Sequence, residues 1–461
     1  MSPAITNRQP DLLPRSRHPT ILIAEDHKLV QLTDTLDWTE MKDQAQQIRS
    51  SKLKNAAGRP PHLRALLGTM LLMATRKLTY REAEDLIRYY APARYLCGLT
   101  ETEWTPDFTT IQDFTELMGE EGIKLINQHV VQMAVKEKLA DPKTLVADTT
   151  AQEASVPYPN EMGLMSGFLS SVASAARKVG QGLKGFVQQT ESQFKAARQK
   201  AREYRLFAKT KESKDRVMKQ MVTIIAKLND HLGKALGEGA AQQAKLCKYA
   251  IVAQSKLVQL RETMSKLLPQ IRYWIRTGYV ASGKIINLHI PQLYSIVRGK
   301  VGKPVEFGLS WGITRLAGGY LLATLARDRR ELVDTKFAVR AVKDHIALFG
   351  QAPQGYAYDR GGYSAQNVSD LKKLGVKDVG LAPRGRTPWS VRGQVRERLV
   401  AERALVEAGI GTIKSPKYGF NRPSARCASM MGACGQRAVL GFNSTKLVRE
   451  LAGRKGMTLS G

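Results

Sequence analysis

A mixed-sheet α/β core, with an all-α domain before it and a long basic helical insertion inside it, is the fold class this sequence predicts. Three features predict it. At 144–148 and again after residue 280, short apolar runs of strand length alternate with amphipathic stretches, the pattern of a mixed sheet with helices on its faces. Residues 60–140 repeat their apolar positions at helical spacing. Between Phe186 and Asp230, Gly and Pro are sparse and Lys, Arg, Gln and Ala dominate, which predicts long helices. The 461 residues suffice for two to four domains.

In chain order, residues 1–60 read as a polar N-terminal segment with a weak helical signal from Asp11 to Lys54. Residues 60–140 follow as a helical domain: Leu63, Leu66, Leu67, Met70 and Leu71 recur at helical spacing. Thr79 followed by Glu82 is a capping-box pattern that opens a helix over Tyr80–Tyr90, ended by Pro92. Thr109 followed by Gln112 predicts the next start, with a helix to about Leu139. Such a cluster suits a helix-turn-helix-like DNA-binding module; the alternative is a bundle that only packs against the rest.

The core falls on 141–164 and 277–450. Thr144–Asp148 predicts a buried strand that stops at an acid, and Tyr158–Pro159 a turn. The insertion, 165–276, predicts an antiparallel helical hairpin turning near Gly233–Gly239. Strands are then predicted at Lys284–Leu288, Val305–Trp311 and Gly318–Ala323, and an amphipathic helix at Arg327–Phe349 with Leu332, Phe337, Val342 and Ile346 inward. A short strand, Tyr356–Tyr358, again ends in an acid, Asp359. A helix at Ser364–Leu374, a strand at Val376–Leu381, a basic loop at Arg384–Arg396 and a helix from Val395 to about Ala408 complete the core, and 451–461 is a C-terminal tail.

Charge narrows the function. Lys plus Arg exceed Asp plus Glu by 71 − 41 = +30, an excess that points to a polyanion, and nucleic acid is the usual one. Residues 177–276 hold 22 basic and 7 acidic side chains, so 22 − 7 = +15, half the excess, sits on one segment. A solvated spacer rarely needs such one-sided charge; a surface facing phosphates does. Four cysteines with no CxxC pair exclude a disulfide scaffold and a zinc ribbon. No apolar run reaches the ~18 residues of a membrane span, and Met1–Arg17 has no signal-peptide apolar core. The expectation is a cytoplasmic, nucleoid-associated protein with no membrane contact.

The chemistry lies in the carboxylates. Asp148 and Asp359 end strands, and Glu407 sits on the last helix. Three carboxylates gathered from two strand ends and a helix suit hard divalent cations, and two such ions ~3.5–4 Å apart can clamp the oxygens of an in-line phosphoryl displacement. A strand-terminal Asp alone is weak evidence, since many only cap a turn. Arg403 and Lys414 add to it. At about 100° per residue, Arg403, Glu407 and Lys414 fall within about 40° of one another. A surface i,i+4 ion pair explains Arg403 but not Lys414.

These residues resemble a family. Arg403-x3-Glu407-x6-Lys414 resembles the Tyr-x2-Arg-x3-Glu-x6-Lys signature of DDE-type bacterial insertion-sequence transposases, with Val400 where the tyrosine belongs. Asp148-Thr149-Thr150 and Asp359-Arg360-Gly361 resemble the first and second catalytic aspartates. The stretches Gly299–Gly308, Lys414–Asn421 and Gly432–Asn443 are similar too, and Arg64–Asp113 resembles the helical domain that often precedes the core. The resemblance implies an RNase H-like core and Mg²⁺ or Mn²⁺ in a two-metal site at Asp148, Asp359 and Glu407. It implies phosphodiester cleavage at transposon ends, then attack of the freed 3′-hydroxyl on target DNA. Arg403 and Lys414 would meet phosphates. The partners implied are double-stranded terminal repeats and target DNA, held by a homodimer. The insertion lies between the first two acids, 359 − 148 = 211 residues apart, rather than before the third.

In the basic loop, Arg384 and Arg386 suit DNA phosphates, and Trp389 either stacks on an unpaired base or packs under the loop. Glu153 is either a neighbour of the metals or a sheet-edge acid, and Cys427 and Cys434 read as small buried residues. Two other DNA-directed readings remain: a relative that binds DNA without catalysis, and a metal-dependent nuclease that cuts without joining. A filament-like structural protein leaves the strand-terminal acids unexplained.

Overall fold

Two short helices occupy part of the stretch that composition marks as polar. They are α1 (Lys28–Thr35) and α2 (Trp38–Lys52). The His27 ring accepts the Leu29 N–H, and Asp37 accepts those of Thr39 and Glu40, so both N-termini are capped. Their few apolar side chains fall on the inner face: Leu29, Leu32, Met41 and Ala45 are buried in one core with α3 (Leu63–Arg76), α4 (Tyr80–Tyr89), α5 (Ala91–Leu96) and α6 (Phe108–Lys136). The computed structural model describes residues 23–53, 61–99, 104–238, 248–300, 303–326, 328, 331–383, 385 and 388–460. The capping box at Thr79 and Glu82 is present in both directions. Helix α6 starts one residue ahead of the predicted Thr109, because Asp107 takes the Thr110 N–H at 2.8 Å, and it kinks at Gly119 (φ 61°).

The sheet has six strands among the described residues: β1 (Asp141–Glu153), β2 (Tyr294–Lys300), β3 (Lys303–Ala317), β4 (Leu321–Leu325), β5 (Gly355–Tyr358) and β6 (Asp378–Leu381). Their order is β2-β3-β1-β5-β6, with β4 also paired to β3. Strand β1 runs antiparallel to β3 and parallel to β5. The expected end of β1 at Asp148 is corrected: pairing with β3 carries it to Glu153, opposite Gly308. Alternation then divides the core. Leu145, Ala147, Tyr356 and Tyr358 face the N-terminal helices, α11 (Asp334–Phe349) and α12 (Ala365–Lys373). Val146, Ile313 and Ala357 face α13 (Gly393–Lys414) and part of α14 (Ala428–Arg454).

The insertion is helical but is not a single hairpin. Among the described residues four helices form it, α7 (Glu161–Val179), α8 (Lys184–Leu206), α9 (Lys211–Glu238) and α10 (Lys248–Thr277), around an apolar core of their own. Gly233 and Gly237, expected at the turn, lie inside α9, and 239–247 fall outside the described residues. The strand expected at Lys284–Leu288 does not form. Its apolar residues serve two cores instead: Ile285 and Leu288 pack into the insertion, Ile286 into the sheet layer, and a strand's strict alternation between sheet faces does not suit that split. An ion pair of Lys284 with Glu161 ties the two connections together where the insertion leaves the sheet. Helix α11 starts seven residues later than Arg327, at Asp334, and α13 runs through Gly409 and Gly411 to Lys414 rather than stopping near Ala408. Cys427 is exposed and Cys434 half-buried, so neither is the buried filler expected.

An unpaired sheet edge exposes backbone donors and acceptors. Here α6 and α14 cover the outer side of β4 with amide side chains. Asn443 accepts the Leu321 N–H at 3.0 Å and donates to the Leu321 carbonyl and to Asn127, and Gln436 donates to the Ala323 carbonyl at 2.9 Å. Asn443 is fully buried, so Asn443→Ala strands a backbone N–H and an amide and costs about 2–4 kcal/mol, read as a lower urea midpoint with unchanged slope.

His345 on α11 is 2 % exposed. Burial disfavours its cation and brings the imidazole down to about 4, the nearby Pro142 backbone opposing the shift. The unfolded chain takes up this proton near pH ~6.5 and the folded chain only near 4, so this contribution is full above about 6.5 and is lost as pH falls towards 4. The loss amounts to about 3 kcal/mol, and urea titrations of wild type beside His345→Leu across that window check it: the variant loses this part of the slope.

Candidate active site

Parallel pairing sets the site. Thr144, Leu145 and Val146 pair with Gly355, Tyr356 and Ala357. Continued two residues, just past the end of β5, that register brings Asp148 level with Asp359. Val146 and Ala357 both face the α13 layer, so by alternation Asp148 and Asp359 face it too. The buried phenol of Tyr356, on the opposite face, is pushed well above its usual range by burial, then by Asp359 and by Asp148, so both carboxylates lie near this one ring.

Each aspartate is held. Asp148 Oδ1 accepts the N–H of Thr149 at 2.7 Å. Asp359 caps the short turn Arg360–Gly362 by accepting the Gly361 N–H at 2.8 Å. A third acid, Asp334, was missed by the sequence reading. It opens α11, and one of its oxygens accepts both the Thr149 hydroxyl at 2.7 Å and the Tyr358 hydroxyl at 3.2 Å. Its other oxygen lies where a side chain at Gly361 would have to go. Asp334 thus joins the residue after one aspartate, the residue before the other and the turn that caps the second. Its only sequence signal was its place at a helix start, which marks many structural acids.

Helix α13 crosses the carboxylate-bearing face, with Leu399, Val406, Ile410 and Ile413 buried beneath it. Leu399 lies over Gly355 and Gly380, and Gly409 lies against Leu321, so the helix passes from β5 and β6 across to β4. Arg398 reaches Asp378 at the amino end of β6, 3.4 Å away, and Glu402 pairs with Arg315. Measured from Arg398, Arg403, Glu407 and Lys414 lie about 140°, 180° and 160° round the helix. They therefore share the flank turned from the amino ends, on the side of Asp148 and Asp359. Val400, 44 % exposed, belongs to this flank and brings no hydroxyl to it.

The structure brings the two aspartates together but does not gather all three acids. Among the described residues no three of His, Cys, Asp and Glu stand close enough to hold a metal ion. Glu407 is 62 % exposed and lies 3.7 Å from Arg403, an i,i+4 contact of small energetic weight. Arg384 and Arg386 fall outside the described residues. Trp389 is half-buried against the α13 layer, with the Arg396 guanidinium 5.0 Å from its ring centre, so it packs under the loop. Glu153 lies about 17 Å along β1 from Asp148 and pairs with Arg422 at 3.3 Å, as a sheet-edge acid.

Residues 19–117 match a family model described as Transposase domain (DUF772). The match spans α1–α5 and the first part of α6; the sheet and its aspartates lie beyond it. No curated protein and no solved structure matches the chain. Among the described residues no helix is long and apolar enough to cross a membrane.

Asp334→Ala leaves the Thr149 and Tyr358 hydroxyls without their acceptor. It should destabilise the fold by about 2–4 kcal/mol in urea unfolding, and Thr149→Val, which removes one donor, by about 1 kcal/mol.

Proposed function

We propose that the protein is a DDE-type transposase with an RNase H-like core, which cuts transposon-end DNA and joins the freed 3′-hydroxyl to target DNA. The observation that carries this reading is the level pair Asp148 and Asp359, facing a helix whose near flank bears Arg403, Glu407 and Lys414. The transposase-domain match over 19–117 and the net charge of +30 support it. So does the mixed sheet, with β1 antiparallel to β3 on one side and parallel to β5 on the other, which fits the RNase H-like arrangement.

Asp148, Asp359 and Glu407 would hold Mg²⁺ or Mn²⁺. The donor chemistry fits, because these ions take carboxylate oxygen. When bound, the metals lower the pKa of the attacking water or hydroxyl and offset charge at phosphorus. The chain's own residues do the rest. Two strands fix the aspartates, the second through its own turn. Glu407 joins them by giving up its contact with Arg403. The guanidinium so released forks onto phosphate oxygens, and Lys414 adds a point charge on the same flank. Paired transposon ends imply two copies of the chain on DNA.

The test is a cleavage and joining assay on a supercoiled plasmid carrying the element's ends, with Mg²⁺ or EDTA. Wild type should cut and join only with metal, and Asp359→Asn and Glu407→Gln should lose at least ~10³-fold in rate while still binding DNA. Cutting without joined donor–target product favours a nuclease. Binding without cutting in any metal favours a non-catalytic relative, and wild-type activity in Asp359→Asn refutes the site.

A further inference from the structure

The strongest charged feature away from the aspartates is a groove in the insertion. It lies between the start of α7 and the end of α8 and encloses about 660 Å³. Its floor includes Leu169, Ala201, Ala208 and the half-buried ring of Tyr204, and Asn160, Ser166 and Ser170 add polar groups. Five exposed cations line it: Arg198, Arg202, Arg205, Lys209 and Lys214.

Their placement is ordered. Arg198, Arg202 and Arg205 follow i, i+4, i+7 along α8, within about 60° of one another, and span about 10 Å of helix. Lys209 lies in the connection after α8 and Lys214 in the first turn of α9. Among the described residues none of the five is paired with a carboxylate. Of the nearby acids, Glu203 holds Lys200 at 2.7 Å and Glu161 holds Lys284, while the Tyr204 phenol is raised by burial first, then by Glu161 and Asp215, neither of which is paired with the five cations. The five converge on one concavity.

We propose that this groove seats the phosphate backbone of double-stranded DNA, as a second DNA contact in addition to the aspartate site; it rests on the reading of the protein as a DNA enzyme. A row of guanidinium forks with a lysine continuation matches a line of phosphates along a strand rather than one small anion. The ring and apolar floor give the sugar edge a surface to lie on, and contacts to phosphate carry no sequence information, so this contact is sequence-independent.

The experiment measures binding of the full-length protein to a fluorescein-labelled random-sequence duplex by anisotropy, from about 50 to 200 mM salt. It compares wild type, Arg198→Gln/Arg202→Gln/Arg205→Gln, and Lys219→Gln/Lys227→Gln/Lys234→Gln. The last three lysines are exposed on α9 outside the groove and remove the same charge. The groove variant should reduce the slope of log affinity against log salt by up to about 2.7, at ~0.9 per phosphate contact, and the α9 variant by far less. Equal slopes for the two variants, or displacement of the duplex by polyglutamate at matched charge, overturn the groove while leaving the DNA reading intact. No wild-type binding overturns both. Unchanged thermal unfolding of both variants, whose altered side chains are all exposed, excludes misfolding as the cause.

Discussion

The parallel pairing of β1 with β5 is the constraint on which the rest depends. Parallel neighbours cannot be joined by a tight turn, so the chain between them must leave the sheet and return. Here it leaves for the whole insertion, three further strands and α11 before β5 begins. Both strands are buried on both faces, which is why Leu145, Val146 and Ala147 form a continuous apolar run instead of an alternating one. A shift of one residue would turn one aspartate to the opposite face. The Asp334 bonds to Thr149 and Tyr358, one on each strand, oppose such a shift at the level of the site.

The helices on the two faces divide the labour. Helix α13 lies across the strands on the side of the aspartates, its apolar side packed down and its charged flanks set against opposite ends of the sheet. Helix α14 closes the β4 edge together with the part of α6 beyond the transposase-model match, and the two helices share one polar seam, Asn127 to Asn443. That seam makes the N-terminal helices part of the core rather than a tethered module. The insertion differs. It carries its own apolar core and joins the sheet through two connections held by Lys284 and Glu161. Because its interior is closed, its surface can carry heavy positive charge without exposing the sheet.

Much was legible from local signals. The capping box at Thr79, the strand ending at Asp359, the helical character of the insertion and the shared face of Arg403, Glu407 and Lys414 are short-range patterns of period and spacing, and the structure keeps them. The misses were long-range. Nothing local says that β1 runs on past Asp148, because the extension depends on β3, more than 150 residues away. Nothing local separates Ile285 and Ile286 into different cores. The helices at 28–52 are short or poor in apolar residues, and distant partners make them stable, α5 and α14 for α1, α3 and α6 for α2.

The sequence alone determined the basic character and most element types, and it singled out Asp148, Asp359 and Glu407, because charge and periodicity are properties of neighbouring residues. Tertiary structure decided which acids meet. Asp148 and Asp359 stand side by side because two distant strands pair in parallel at one register, and Asp334 joins them because α11 begins beneath that level. Sequence separations of 211 and 25 residues say nothing of such distances; only the packing of strand against strand and helix against sheet sets them.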